Sequence, residues 1–595
     1  MLPLLPIQPA LGPLSKRLSH HAPTGKSLPT PPSLGSPVPD DRHAVSVQLP
    51  MWQDMLGMVT QDPRVIKVQQ IGYPRSFLNQ AIVKVNTACM DRFGLPDEKC
   101  LVFTALNHAI ACQMKIISQV PDAGGQVRIM AVDFVLDESA DSSSSPPSSL
   151  TPRRYYLVFF AAKYNPNAMI FWRLTGTGIS SRLAESMHKH LDKMSTATDA
   201  GDGILQTNPD LCRSLVDAEA NNAVQSRIVE LLQRATKNKE VSSRIASTDV
   251  FLYPTGMAAI YNTNKLLRAW RTGETVVFGF PYELTLKMMQ DYAFQCKFYG
   301  FGTPDELDDF EAYLASERAQ QRSIQSVWCE AASNPLLRTV DLPRIRRLAN
   351  EYGFVIVVDE TIGSFANVDL AGVADILVTS LTKSFSGKAN VMAGSVVLVP
   401  TMPYYSQLRD MMPQVYVNEL FGADARVLER NSRDFLSTAS TMNQNAQRLV
   451  TALAHFVNLP SSVLTHVYYP STCWSRANYE GLMRHPTPDF SPGYGGLFTL
   501  EFETVIAAAT FFDALNVHKG PSLGASVTLA QPYVQTVFMR EKAWAASYGL
   551  KESIVRISVG LEDGQALERE FLRALRVASR FKAGRELKEH REYCF

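Results

Sequence analysis

Between residues 225 and 400 the sequence alternates short, unbroken apolar runs with stretches of helical period, and this alternation leaves few folds open. "ETVVFGF" (274–280), "SIQSVWCE" (323–330), "FVIVVDE" (354–360), "ADILVTS" (374–380) and "GSVVLVP" (394–400) read as strands. "SRIVELLQRATK" (226–237), "AAIYNTNKLLRAW" (258–270) and "DLPRIRRLANEYG" (341–353) read as helices between them. Strands apolar on both faces need cover on both faces, so the pattern predicts an α/β domain with a mainly parallel sheet between helical layers. Sheets of this kind place ligands beyond the carboxyl ends of their strands.

The flanking regions have other characters. Residues 405–440 look helical and connecting, and 441–595 mix "GYGGLFTLEF", "IVRISVGL" and the helix "GQALEREFLRALRVASRF" into a smaller α+β unit. The Pro-rich residues 1–41 and the Ser/Pro-rich "DESADSSSSPPSSLTPRR" (137–154) cannot bury enough apolar surface to offset the entropy of ordering. The division expected is a disordered tail (1–41), an N-terminal extension domain (42–136), a Ser/Pro linker (137–154), an N-terminal arm and connecting region (155–245), the large α/β domain (246–420) and a small C-terminal domain with its connecting helix (421–595). Within the arm, "YYLVFFAA" (155–162) reads as a strand, and Ser180 or Ser181 caps a helix starting near Arg182.

Composition narrows the partners. Lys plus Arg total 58 against 57 Asp plus Glu, so the chain carries no field suited to a polyanion, which argues against nucleic acid. Eight scattered cysteines without a CxxC pair suit reduced thiols and no metal site, and the longest apolar runs fall far short of the ~20 residues that span a bilayer. The acid-free, proline-dense start opposes an amphipathic targeting helix, so the expected location is the cytoplasm.

At the strand ends stand groups with chemical potential. Asp359 closes one strand and Ser380 the next, with Lys383 three residues on; "YPTGMAAI" (253–260) turns into a helix whose first N–H groups, at Gly256 and Met257, suit a phosphate. Each has an ordinary structural reading: Asp359 can cap a helix, Gly256 can be a simple turn, and Ser380 and Thr382 can satisfy loop backbone. Together they match the needs of pyridoxal 5'-phosphate. A lysine amine condenses with its aldehyde, a carboxylate keeps its ring nitrogen protonated, and hydroxyls and N–H groups hold its phosphate.

The string "SLTKSFSG…NVMAGSVV" resembles the cofactor-lysine signature of the pyridoxal-phosphate enzymes of cysteine and methionine metabolism. "HAVSVQLPMWQDMLG", "FWRLTGTGISSRLAE", "FLYPTGMAAIYNTN", "SNPLLRTVDLPRIRRLA" and "PSLGASVTLAQPY" narrow this to the fungal form of cystathionine γ-synthase, which carries an extra N-terminal region. The resemblance spans about residues 43–565. It implies a fold-type I, aspartate aminotransferase-like large domain (246–420) binding the cofactor, and a homodimer or homotetramer acting on amino-acid substrates. It further implies γ-replacement on an O-acyl-L-homoserine, with L-cysteine giving L-cystathionine. Alternatives are the same chemistry with another nucleophile, including a carbon one, in a specialised pathway; a cystathionine lyase; and a non-catalytic regulatory paralogue.

The resemblance also assigns roles. Lys383 would hold the cofactor and move protons, Asp359 would face the ring nitrogen, and Tyr282 would stack on the ring. Gly256, Met257, Ser380 and Thr382 would hold the phosphate, and Arg182 would reach the phosphate of a neighbouring subunit. Arg556 would bind the substrate carboxylate through its bidentate fork, with Asn334 and Ser522 beside it. Departures accompany these matches. The Tyr-x-Arg place reads "ISSR", Val527 stands where lyases tend to have glutamate, and "CEAASNPLL" differs from the expected aromatic/proline version.

Overall fold

The computed structural model describes residues 28, 30–72, 76–136, 152–196 and 216–592. Its strands, numbered along the chain, form four sheets. β1 (Pro37–Val38) and β2 (Ser46–Val47) make a two-stranded ribbon; β3 (Glu98–Phe103), β4 (Val127–Val135), β5 (Pro152–Ala161) and β6 (Ser195–Thr196) make a four-stranded sheet in the order β3-β5-β4-β6. Seven strands build the central sheet: β7 (Val250–Tyr253), β8 (Glu274–Phe278), β9 (Cys296–Tyr299), β10 (Ile324–Glu330), β11 (Val355–Asp359), β12 (Ile376–Thr379) and β13 (Gly394–Leu398). The last sheet holds β14 (Leu464–Tyr468), β15 (Leu497–Phe502), β16 (His518–Lys519), β17 (Leu529–Gln531) and β18 (Ile554–Ser558).

The central sheet has the order β7-β13-β12-β11-β10-β8-β9, parallel throughout except that β13 runs against both of its neighbours. Its two-sided burial is visible residue by residue. Ile356 and Val358 of β11 enter one apolar cluster while Val355 and Val357 enter another, and all four are fully buried. Each buried valine contributes about 1.5–3 kcal/mol, so the run that reads as continuous apolar sequence is stabilised from both faces.

The N-terminal sheet is antiparallel yet also covered on both sides. Tyr155, Leu157 and Phe159 of β5 face one cluster, and Tyr156, Val158 and Phe160 the other. This corrects the expected boundaries, because β4 and β5 pair from Val127↔Phe160 to Val135↔Pro152 across the Ser/Pro stretch. That stretch therefore joins two strands of one domain, and Pro152–Arg154 already belong to β5. Local composition marks an insertion but not the pairing across it. Residues 137–151 and the first 27 residues of the expected tail lie outside the described residues.

The end of the tail is built into the fold. Pro37–Val38 pair antiparallel with Ser46–Val47, and Val38 is fully buried. Val47, Leu49, Trp52, Met55, Met58 and Val65, expected in an N-terminal unit, pack instead into the core of the C-terminal sheet; Trp52 meets Phe512 edge-on at 5.8 Å between ring centres. The first 25 residues of the expected extension thus complete a domain encoded some 400 residues later. The helices Phe435–Ala454, Val505–Ala514 and Gly564–Glu592 share that core.

Candidate active site

The carboxyl ends of β10, β11 and β12 open into one cleft, which encloses about 1130 Å³. Gly256, Met257, Tyr282, Asn334, Asp359, Ser380, Lys383, Ser522 and Arg556 all line it. Residues spread over 300 positions converge because the parallel strands end side by side: Glu330 of β10 pairs with Asp359 of β11, which pairs with Val378 of β12.

One end of the cleft is suited to an anion. The helix Gly256–Trp270 starts there, capped by Thr255, whose Oγ1 accepts from Ala258 N–H at 2.9 Å. The first-turn N–H groups of Gly256 and Met257 precede any intrahelical partner and carry the positive end of the helix dipole. Glycine is required here, since a Cβ on Gly256 would lie 2.7 Å from Ser380 Cβ and 2.9 Å from its Oγ. The Ser380 hydroxyl is buried and has no hydrogen-bond partner among the described residues. Thr382 differs from its expected part: its hydroxyl donates to Ala393 O at 3.2 Å and accepts from Ala393 N–H at 3.0 Å, although the residue lines an adjoining cavity with Lys383.

In the middle, Lys383 Nζ donates to Ser522 Oγ at 2.9 Å. Ser522 holds a left-handed backbone, φ 95°, which costs a non-glycine residue about 1–3 kcal/mol and persists only where the surroundings impose it. The next turn is imposed by contact, because a Cβ on Gly524 would lie 2.5 Å from Ser384 N and 2.8 Å from Lys383 C. Asp359 accepts Thr361 N–H at 2.9 Å through Oδ1, while the hydroxyl of Thr361 accepts Ser380 N–H at 2.8 Å.

At the far end Arg556, on β18, is 5 % exposed and sits among neutral oxygens. It donates to Asn334 Oδ1 (3.2 Å), Ser522 O (2.8 Å) and Gln531 Oε1 (2.6 Å), and its guanidinium lies 4.9 Å from the centre of the Tyr533 ring. Asn334 Nδ2 donates in turn to Tyr533 OH at 3.4 Å. The fork is thereby oriented before any ligand arrives.

Four further residues belong to this constellation. Gln531 and Tyr533 orient Arg556. Glu330, the last residue of its strand, accepts Tyr282 N–H at 2.5 Å, while its Oε2 is buried without a partner among the described residues. Burial, with the Asp359 carboxylate nearby, pushes the Glu330 pKa well above the usual carboxylate range. The same strand-end argument that singles out Asp359 and Ser380 applies to Glu330. Arg173, the fourth, lines both cavities from the N-terminal domain, and nothing in its local sequence signals this. Arg182 is elsewhere: it pairs with Asp424 at 3.0 Å and lines a separate hollow with His43.

The chain is similar to known proteins over most of its length. The model of the Cys/Met metabolism PLP-dependent enzymes matches residues 217–576, and that of the fungal trans-sulfuration enzyme N-terminal domain matches 81–180. The chain belongs to the Cys/Met metabolism PLP-dependent enzymes. The N-terminal match runs across the Ser/Pro insertion, in keeping with the single sheet found there. Curated relatives include the alanine racemase ungC of Aspergillus violaceofuscus (36 % identity, 93 % of this chain, 98 % of the relative) and the cystathionine gamma-synthase-like enzyme iboG2 of Amanita muscaria (33 %, 92 %, 97 %). Cystathionine gamma-synthase of Neurospora crassa is 32 % identical, over 92 % of this chain and 99 % of that one. The fold is that of the Xanthomonas oryzae pv. oryzae cystathionine gamma synthase structure, at TM-score 0.50 and 22 % identity, covering 64 % of this chain and 91 % of that one.

Membership makes this an enzyme using pyridoxal 5'-phosphate on amino-acid substrates, with a cystathionine γ-synthase-like architecture. The cleft fits that cofactor on its own chemistry. An unpartnered buried hydroxyl beside a helix N-terminus suits a phosphate, and a lysine amine and a strand-end carboxylate suit an aldehyde and a ring nitrogen. No helix among the described residues is long and apolar enough to cross a membrane.

Proposed function

We propose that the enzyme carries out γ-replacement on an O-acyl-L-homoserine, with L-cysteine as nucleophile and L-cystathionine as product. The observation that carries this reading is a preset guanidinium at one end of the cleft and an anion-binding helix terminus at the other, with the Lys383 amine between them.

When bound, pyridoxal 5'-phosphate supplies an aldehyde for the substrate amine and a ring that accepts the electrons left when a Cα proton departs. Gly256 and Met257 N–H and the Ser380 hydroxyl would hold its phosphate, Asp359 its ring nitrogen and Tyr282 its ring face. The chain's own residues do the rest. Arg556, with Asn334, binds the α-carboxylate and so fixes which substrate bonds face Lys383. Lys383 removes the Cα proton and then a Cβ proton, whose loss expels the acyloxy group from Cγ, and it returns both protons after the thiolate adds at Cγ. Ser522 Oγ steers the amine between these positions. Glu330 anchors the Tyr282 backbone, holding the ring's stacking partner in place.

Against elimination, Val527 lies in an apolar cluster with Val38 and Val45 and brings no carboxylate to the cleft. A second reading keeps the chemistry and changes the nucleophile. It is favoured by the Glu283 carboxylate at the cleft wall, held by Lys287 at 2.8 Å, and by relatives of comparable identity whose names denote other reactions. We place the enzyme in a homo-oligomer in the cytoplasm, as the family resemblance implies.

Incubation with O-acetyl- or O-succinylhomoserine, with and without cysteine, tests the proposal by product analysis. Cystathionine formed only when both are present is expected. 2-Oxobutanoate and ammonia released equally with or without thiol would reject replacement. Consumption of the acyl substrate only when a carbon acid takes the place of cysteine would establish the second reading.

A further inference from the structure

The anion-binding end of the cleft receives a cation from a part of the chain outside the α/β domain. Arg173 stands in the last turn of the helix Asn165–Thr175 of the N-terminal domain, which packs on the helices Gly256–Trp270 and Glu283–Tyr292. The seating is tight. Gly176, just past the helix, has φ +62°, and a Cβ there would lie 2.2 Å from Thr255 Oγ1 and 2.8 Å from Ala258 N. Its carbonyl accepts the Thr255 hydroxyl at 3.0 Å. The N-terminal domain therefore docks on the very residue that caps the anion-binding helix.

From this seat Arg173 lines both the main cleft and the adjoining cavity, each shared with Gly256 and Met257. Its Nε is buried and has no hydrogen-bond partner among the described residues, as is true of Ser380 Oγ. Buried donors of this kind are costly unless something satisfies them. Two such groups beside the first-turn N–H groups of one helix are what a phosphate dianion would satisfy.

We propose that Arg173 binds the cofactor's phosphate within its own chain, so that the N-terminal domain, and not a neighbouring subunit, completes the anion site. This rests on the phosphate lying at the start of the helix Gly256–Trp270. Arg182, the residue to which the family resemblance points for a contact between subunits, is engaged with Asp424. Cofactor retention then depends on the docking of the N-terminal domain and is independent of assembly.

The test is complementation between two full-length chains, Arg173→Ala and Lys383→Ala, carrying different tags and purified as a mixed assembly. Apo-protein is titrated with pyridoxal 5'-phosphate, followed by the visible absorbance of the lysine-bound form and by quenching of tryptophan fluorescence. Wild type is expected to titrate tightly, Arg173→Ala to bind about 10- to 100-fold more weakly with an unchanged apo melting temperature, and Arg173→Lys to recover part of the loss. The mixed assembly should show no site of wild-type affinity, since neither chain holds both residues. Wild-type affinity in half of its chains would put Arg173 in the neighbour's site and overturn the proposal, as would Arg173→Ala binding like wild type. If the two chains do not associate, Arg173→Ala alone decides, because a solitary chain has only its own arginine. A wild type that takes up no cofactor would instead sink the cofactor reading of the cleft.

Discussion

Replacing Gly256 with alanine tests the anion site at its tightest contact. The added Cβ would meet Ser380 Cβ at 2.7 Å, its Oγ at 2.9 Å and its Cα at 3.1 Å, where carbon pairs are at ease near 3.5–4.0 Å. Turning the Ser380 side chain cannot relieve contact with its Cα, so the helix start or the loop after β12 must move by several tenths of an ångström. Overpacking of this kind costs about 1–3 kcal/mol, and alanine's advantage over glycine in a helix returns up to about 1 kcal/mol of it. The apo melting temperature should therefore fall little, because part of the cost is offset locally. Cofactor affinity should fall about 5- to 150-fold, the binding equivalent of about 1–3 kcal/mol, because the displaced groups are the ones that face the phosphate. Titration of apo-protein with pyridoxal 5'-phosphate reads the affinity, and calorimetry the stability. Adding Ser380→Gly removes the obstructing atoms and should restore the melting temperature while leaving affinity low, because the unpartnered hydroxyl goes with them. Gly256→Ala binding within twofold of wild type would refute the placement of the phosphate.

Three other outcomes follow from the same geometry. Arg556→Lys, which keeps the charge but loses the fork that reaches Asn334, Ser522 and Gln531, should lower kcat/KM about 10- to 100-fold, mostly through KM; an unchanged KM would remove Arg556 from carboxylate binding. Trp52→Ala should cost about 3–5 kcal/mol in thermal unfolding of the C-terminal domain, and an unaltered melt would dissociate residues 47–65 from that core. Glu360, 1 % exposed and accepting Thr379 Oγ1 at 2.8 Å, has its pKa moved from 4.5 to about 8 by burial, which outweighs that bond and the Arg484 charge. The folded state then holds the proton more tightly than the unfolded one, so this stabilisation is complete below pH 4.5 and is lost as pH rises to about 8, at up to about 1.4 kcal/mol per unit. Urea unfolding of apo-protein between pH 5 and 8 should show a shallower decline for Glu360→Gln; an equal slope would assign the effect to other groups.

The sequence is legible where one segment carries its own answer. β8, β10, β11, β12 and β13 are apolar on both faces and read as buried strands, and Asp359, Ser380 and Lys383 follow because strand ends of such a sheet face its ligands. β7 and β9 are four residues each and too short to show a period. β4 and β5 are separately apolar, yet nothing local states that they pair across residues 136–151. Gln531 and Tyr533 matter only through Arg556, which reaches them from the neighbouring strand β18 and the turn after β17.

The loop that carries Ser522 shows why the remainder is hidden. Its left-handed backbone is unfavourable by itself, so its shape must be forced by neighbours, and the neighbours come from both ends of the chain. Gly524 lies on the backbone of Lys383, while the Ser46 hydroxyl donates to Pro521 O and Val47 O leaves no room for a side chain on Gly520. The ribbon of β1 and β2 thus braces the loop whose hydroxyl holds the catalytic amine, although 475 positions separate Ser46 from Pro521. The N-terminal region therefore acts twice on one cleft, through Arg173 at its anion end and through Ser46 behind its lysine. A chain shortened to its α/β and C-terminal domains would keep each recognisable motif and lose the contacts that aim them.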